Sequence, residues 1–170
     1  MASTTFVNGS TLSDEDWFND VNRLHYTIFA DAADVAAAKT AIFPAWTTPT
    51  FAAGDYTASG SMTWTLQAGD VISMAYIIKG KMMTVAFSLT TTTVGGTLST
   101  DLLIAIPASK VATKRMLNPV YIIDNGTRTT GYALVNNSGT TIIINRSDLA
   151  NWTASTNNTD VYGQITFEIN

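Results

Sequence analysis

Hydrophobic side chains near the start of the chain recur every three or four residues, the spacing of one face of an α-helix. They are Trp17, Phe18, Val21, Leu24 and Ile28. Ser13 precedes them as a candidate N-cap, and the acidic residues 14–16 occupy the first predicted turn, where the helix dipole favours negative charge. A second, Ala-rich helix is expected over residues 34–42, before Pro44. Residues 1–42 are therefore predicted to form a short N-terminal helical segment, whose aromatic stripe needs a surface to cover because a short helix is marginal alone.

From residue 43 onward the hydrophobic period changes to that of β-strands, with turn signals about every ten residues. The predicted strands are 46–51, 61–67, 71–78, 81–89, 102–106, 120–123, 129–135, 141–145 and 161–169. The last strand alternates, with Val161, Ile165 and Phe167 on one face, as in a sheet with one buried face. Gly80 is expected to supply the positive φ of a tight hairpin. The pattern predicts a mainly β fold, an antiparallel jelly-roll-like β-sandwich over residues 43–170.

Two of the predicted strands are apolar on both faces, over residues 76–78 and 142–144. Burial on both sides of a strand in so small a domain requires a partner surface. Further copies of the same chain are the simplest partner, so the pattern favours a homo-oligomer.

Composition narrows the function. Only 13% of the 170 residues are charged, and Thr, Ser and Asn fill many polar positions. A net charge of −4 argues against a nucleic-acid partner, which requires clustered Lys and Arg. The chain has no cysteine, hence no disulfide and no thiolate metal site. No apolar run is long enough for a membrane span and no secretory signal pattern is visible, so we expect no membrane insertion.

Candidate catalytic chemistry is sparse in the sequence. The lone histidine, His25, lies within the helical stripe and is interpreted as a packing or surface residue. A glycosidase requires two facing carboxylates, for which Asp124 and Asp148 are one candidate pair, but nothing in the sequence distinguishes them from the other acidic residues. The polar segments 124–126 and 157–160 have the composition of turns, with a bound cation as the alternative. We therefore expect a binding protein and not an enzyme, with no cofactor.

The candidate ligand-binding residues are Asn151, Trp152, Asn157 and Asn158, which lie between two predicted strands. Sugars bind through C–H contacts on aromatic faces and hydrogen bonds to planar amides, so this composition suits a glycan. The competing and favoured interpretation is that Trp152 fills the edge of the sandwich or a seam between subunits. Trp46 and Trp64 lie in strand-like runs and are expected in the core or at an interface.

Three stretches of the chain resemble bacteriophage fibre proteins. Gly9, Leu12 and Trp17, followed by Asn19-Asp20-Val21-Asn22, are similar to a segment near the start of phage tail-fibre chains. Residues 60–66, 76–81 and 104–107 are similar to phage structural domains, and residues 161–167 resemble the last strand of trimeric tumour-necrosis-factor-like heads.

The resemblance implies a homotrimer that is assembled in the host cytoplasm and resides in the virion. It implies that the N-terminal segment binds other virion proteins and that the C-terminal head contacts a bacterial surface, for example a glycan. The Trp17 stripe is expected to serve both as the virion anchor and as the trimer interface of this segment. The chain departs from tail fibres in having no long shaft after Ile42. A capsid decoration, head-fibre or tail-assembly protein without a receptor is therefore the second hypothesis, and a polysaccharide-degrading fibre tip is the third.

Overall fold

Antiparallel strands account for most of residues 44–170, the part of the chain that this computed structural model describes. Within it, nine strands follow in the order β1 Tyr56–Ala58, β2 Met62–Thr65, β3 Val71–Lys79, β4 Met82–Gly96, β5 Leu102–Ala105, β6 Met116–Asp124, β7 Thr127–Val135, β8 Thr141–Arg146 and β9 Ser155–Glu168. Short 3-10 helices lie at Ala53–Asp55, Ala68–Asp70 and Pro107–Ser109. No helix of the described residues is long and apolar enough to cross a membrane. The predicted N-terminal helices, with Trp17, Phe18, Val21, Leu24 and Ile28, lie outside the described residues.

All nine strands belong to one sheet, in the order β1-β5-β8-β7-β6-β9-β4-β2, with β3 also paired to β4. Every pairing is antiparallel. Because β4 is long, its first part pairs with β3 and its last part with β2, while its other edge pairs with β9. The consecutive strands β1 and β2 bring the two ends of the order together, so the sheet nearly closes as a barrel.

The prediction of a mainly β, antiparallel fold is confirmed. The finer prediction of a jelly-roll-like sandwich stays a prediction, because the strands form one continuous sheet and not two separately paired ones. Residues 46–51 were expected to form a strand, but only Thr47 makes a bridge, to Tyr76. Pro49, two residues on, has no amide hydrogen with which to extend that pairing.

Strands β4 and β9 extend beyond their predicted bounds. The prediction was too short because the extra residues are mostly Thr and Asn and carry little hydrophobic signal. Thr92 and Thr159 pair within this extension, and both are fully buried. The Thr92 hydroxyl donates a hydrogen bond to the Thr159 carbonyl at 2.8 Å and accepts one from the Trp64 indole N–H at 2.8 Å. Hydrogen bonding thus allows a polar stretch of ladder to be buried.

The core lies on the inner faces of β4 and β9. The predicted inward residues of β4, at most 3% exposed, are Met83, Val85, Phe87 and Leu89. Phe167 and Ile165 of β9 are fully buried against them. Burying one such side chain contributes roughly 1.5–3 kcal/mol. Trp64 joins this core as expected, whereas Trp46 is 51% exposed and is therefore not a core residue of this domain.

Gly80 and Gly131 are two of the positions at which the geometry requires glycine. Gly80 has φ +60° in the tight β3–β4 turn, which confirms the predicted hairpin. Gly131 of β7 lies so close to its neighbours that a Cβ would come within 2.2 Å of both the Asn145 carbonyl oxygen and the Ile122 side chain. The β6–β7–β8 region therefore packs only around a residue without a side chain.

We expect Gly131→Ala to lower the free energy of unfolding by about 2–3 kcal/mol, because the new methyl group must displace backbone as well as a core side chain. Urea denaturation of the full chain measures this. Gly69→Ala is the matched control, since a Cβ at Gly69 meets nothing within 4 Å. Equal stability of the two variants would contradict the packing described here.

Candidate functional site

The predicted ligand-binding residues lie around the β8–β9 connection and the start of β9. Asn151, Asn157 and Asn158 are exposed there. Trp152, the fourth predicted residue, is only 1% exposed. The structure thus separates the aromatic residue of the predicted site from its amides.

Trp152 faces inward and is fixed at both its backbone and its ring. Its backbone N–H donates to the Ser99 carbonyl at 2.9 Å, and its indole N–H donates to the Thr100 carbonyl at 2.9 Å. A ring in this position has no face open to solvent, so it cannot stack on a sugar. The geometry favours the competing interpretation, in which Trp152 fills the edge of the β domain.

Asn157 and Asn158 belong to a group of hydrogen-bonded polar residues that we call the amide cluster: Thr93, Asn125, Asn157 and Asn158. The backbone N–H of Asn157 donates to the Thr93 hydroxyl at 3.0 Å, and this hydroxyl donates to the Asn157 side-chain oxygen at 3.1 Å. The Asn158 side chain donates to the Asn125 side-chain oxygen at 3.2 Å. The cluster therefore joins β4, β9 and the β6–β7 turn in one uncharged, largely exposed polar surface.

The β6–β7 turn consists of Asn125 and Gly126, which have φ +46° and +78°. This is the backbone of a two-residue hairpin. The Gly126 N–H donates to the Asn158 carbonyl at 2.9 Å, so the turn is anchored on β9. Within residues 44–170, no group of three or more His, Cys, Asp or Glu side chains is placed to hold a metal ion. The turn interpretation of segment 124–126 accounts for its geometry.

Arg146, at the end of β8, lies between the two carboxylates weighed as a glycosidase pair. Its Nη1 donates to Asp124, while Nη2 and Nε donate to the two oxygens of Asp148 at 2.7 and 3.1 Å. Asp124 is 3% exposed and also accepts from the Thr153 N–H at 3.0 Å and the Thr153 hydroxyl at 2.9 Å. These contacts form an ion-pair tether, Asp124–Arg146–Asp148, that fastens the β8–β9 connection to β6.

The electrostatics of the tether are those of an ion pair. The hydrogen bond from Arg146, followed by one from the Ala150 N–H, lowers the pKa of Asp148 below its usual range. The hydrogen bond to Asp148 in turn raises the pKa of Arg146. A general acid working near neutral pH needs a carboxyl group whose pKa is raised. Asp148 is shifted in the opposite direction, as expected for a carboxylate held in an ion pair with Arg146.

Two features of this surface were not identified from the sequence. Arg146 carries no local signal for its contact with β6, because its partner Asp124 lies 22 residues before it. Tyr121 of β6 is 41% exposed and offers the aromatic surface that Trp152 does not. Its position between the buried Val120 and Ile122 is a period-2 signal that places it on the outer face.

Comparison with known proteins adds no relative from which a function can be transferred: no family model, no curated protein and no solved structure matches the chain.

We expect Asp148→Asn to unfold at a lower urea concentration than the unchanged chain at pH 7. The folded state lowers the pKa of Asp148, so the carboxylate stabilises the fold above about pH 4 and this contribution is lost as pH falls through the folded-state pKa. The difference in midpoint should therefore shrink below about pH 4. Asp55→Asn, at an exposed aspartate outside the tether, is the control. A difference that stays constant down to acidic pH would argue against the ion pair.

Proposed function

We propose that the chain is a homotrimeric bacteriophage virion fibre protein. In this proposal residues 1–42 attach the chain to the particle and help to trimerise it through the Trp17 stripe, and residues 43–170 form a jelly-roll-like head that contacts the surface of the host cell. The segments that resemble phage fibre proteins support the assignment to this class. The nearly closed, antiparallel sheet is compatible with a head of the jelly-roll-like kind, because β4 pairs with β3 over its first part and with β2 over its last part.

The observation that carries the proposal is a set of large hydrophobic side chains exposed on the described domain. They include Trp46, Ile72, Met82, Met116, Leu117 and Leu149. Adjoining exposed apolar side chains, such as those of Met116 and Leu117 at the start of β6, are typical of association sites. A copy of the same chain is the simplest partner, since sister subunits around a threefold axis cover the same surface in every copy.

Two strand edges of the described domain also favour association. The outer edge of β3 carries a single bridge, at Tyr76, within residues 44–170. The first half of β6 pairs only with β7, because its pairing with β9 is confined to the positions from Tyr121 to Ile123. Unpaired edges are normally covered or protected. Pro119 protects the edge of β6 by lacking an amide hydrogen, which leaves β3 as the edge that a neighbouring subunit can cover.

The amide cluster supports a role in contacting the host. Its amides and hydroxyls are uncharged and largely exposed, and they are held in place by hydrogen bonds between three structural elements. Side chains that are fixed before binding lose little conformational entropy when a ligand arrives. A bacterial surface glycan, rich in hydroxyl groups, has the matching chemistry.

Size-exclusion chromatography with light scattering tests the oligomeric state. We expect a mass of about three times the 18.2 kDa of the single chain, because covering the exposed apolar residues stabilises the trimer. Trp46→Ala and Leu117→Ala should weaken the assembly, while the exposed polar change Thr63→Ala should not. A stable species near 18.2 kDa would exclude the trimer.

A capsid decoration, head-fibre or tail-assembly protein without receptor binding is the second candidate. It is favoured by the short connection between Ile42 and β1, which begins at Tyr56. A polysaccharide-degrading tip is the third candidate. The carboxylates considered for it, Asp124 and Asp148, both bind Arg146, so such an activity would require another pair.

Labelled protein incubated with host cells and with virions distinguishes the first two candidates. We expect the full chain to bind both, whereas a variant without residues 1–42 should keep cell binding and lose virion binding. Saturable binding to virions alone would favour the second candidate. Virion binding by the shortened variant would show that the head is the anchor, contrary to the proposal.

A further inference from the structure

A row of outward-facing side chains crosses five neighbouring strands of the barrel. In cross-strand order they are Ser73 of β3, Ser88 of β4, Tyr162 of β9, Tyr121 of β6 and Thr130 of β7. We call this set the tyrosine row. The flanking positions on these strands, such as Met74, Phe87 and Val161, are buried, so the row belongs to the outer face.

The side chains of the row are large on β6 and β9 and small on β3 and β4. The rings of Tyr121 and Tyr162 lie with centroids 5.9 Å apart at 43°. Beside them, β3 and β4 carry only small outward side chains at two successive cross-strand pairs, Ser73 with Ser88 and Ala75 with Ala86. Two aromatic rings therefore border a low floor of serine and alanine. The small side chains leave space above them for a flat, ring-shaped ligand, one face of which can contact the tyrosine rings.

A carboxylate lies at the end of the aromatic pair. Asp160 precedes Tyr162 by two residues on the same face of β9, and the Tyr162 hydroxyl donates to it at 3.1 Å. The Thr91 N–H donates to the other Asp160 oxygen at 2.8 Å. Burial, followed by the hydrogen bond to Asp160, raises the pKa of Tyr162, so this hydroxyl remains a donor. Each oxygen of Asp160 thus accepts one of these bonds and retains room for a second donor.

A second carboxylate lies beside the first. Asp70 accepts a hydrogen bond from the Thr91 hydroxyl at 3.1 Å, so Thr91 stands between Asp70 and Asp160. Within residues 44–170, neither carboxylate forms an ion pair with Lys or Arg. Covering two such groups with an apolar protein surface is costly, because their remaining acceptor sites lose water without gaining donors. A ligand rich in hydroxyl groups supplies those donors.

We propose that the tyrosine row, together with Asp160, is a carbohydrate-binding site that takes one face of a pyranose ring. The C–H groups of the sugar contact the rings of Tyr121 and Tyr162, which remain partly open to solvent. Neighbouring sugar hydroxyls donate to Asp160, as charged acceptors form the stronger hydrogen bonds. This inference deepens the proposed function. It rests on that function only in taking the host cell as the source of the glycan.

The proposed sugar site lies on the same strand as part of the amide cluster. Asn157 and Asn158 precede Asp160 on β9 by two or three residues, so both polar surfaces follow one strand. A longer glycan can therefore contact the tyrosines with one sugar and the amides with the next.

Saturation-transfer NMR on the full chain tests the site, with glucose, galactose, mannose and N-acetylglucosamine at millimolar concentration as probes. We expect transfer to the ring C–H protons of at least one probe. Tyr121→Ala should weaken this binding about tenfold, whereas Tyr121→Phe should retain it because the aromatic face remains. Asp160→Asn should weaken it as well, through loss of the charged acceptor. Asp55→Asn, at an exposed aspartate outside the row, is the matched control for Asp160→Asn and should bind like the unchanged chain.

Chromatographic mass and circular dichroism of each variant accompany the binding measurement. Absence of transfer to all four probes overturns the proposal, and so does undiminished binding by folded Tyr121→Ala. A loss of assembly mass in Tyr121→Ala without sugar binding by the unchanged chain assigns the row to a subunit contact and also overturns it. A monomeric chain that binds sugar through Tyr121 supports the site while contradicting the trimer, so the two proposals fail separately.

Discussion

The pairing of β4 with β9 is the interaction on which the rest of the structure depends. The inner face of this ladder supplies much of the core, from Met83 to Phe167, and its edges carry β2, β3 and β6. Gly163 of β9 lies opposite Phe87, where a Cβ would come within 2.4 Å of Val120, so the register admits little variation. A slip of one residue would exchange buried and exposed faces. The same register places Asn157 beside Thr93 and Tyr162 beside Ser88, and it therefore helps to position both polar surfaces as well as the core.

A second, local constraint acts on the loops. The Asp124–Arg146–Asp148 tether fixes the β8–β9 connection from one side, while Trp152 fixes it from the other by packing into the core. Asp124 is almost fully buried, and removing its partner would leave a charge without compensation. The loop that contains Asn151 is thus held by a charged contact and an aromatic one. Binding surfaces built on such supports are shaped before a ligand arrives.

The sequence predicts the fold well where one face of a strand is buried. Alternation locates β4 from Met83 to Leu89 and β9 from Val161 onward, and Gly80 marks the hairpin between β3 and β4. Prediction from alternation fails for β1, which is too short to show a period. It also fails for the Thr-rich end of β4, whose burial depends on hydrogen bonds across the sheet. The candidate site was predicted only in part. The amides lie on the surface as expected, but the burial of Trp152 depends on the Thr100 carbonyl, which is distant in sequence. The aromatic pair of Tyr121 and Tyr162 depends on the register of β6 with β9, which no local pattern encodes.

The order of strands along the chain has a consequence for synthesis. β4 ends at Gly96 and its main partner β9 begins at Ser155, so β5 to β8 must be synthesised before β4 and β9 can pair. During that interval the apolar face of β4 has the β3 hairpin and β2 but lacks the strand that buries it. Sheets closed by such distant pairings fold slowly, and waiting intermediates with open edges are prone to aggregate. Because the chain carries few charges, electrostatic repulsion between such intermediates is weak. Pairing of β4 with its own β9 therefore competes with association between neighbouring nascent chains.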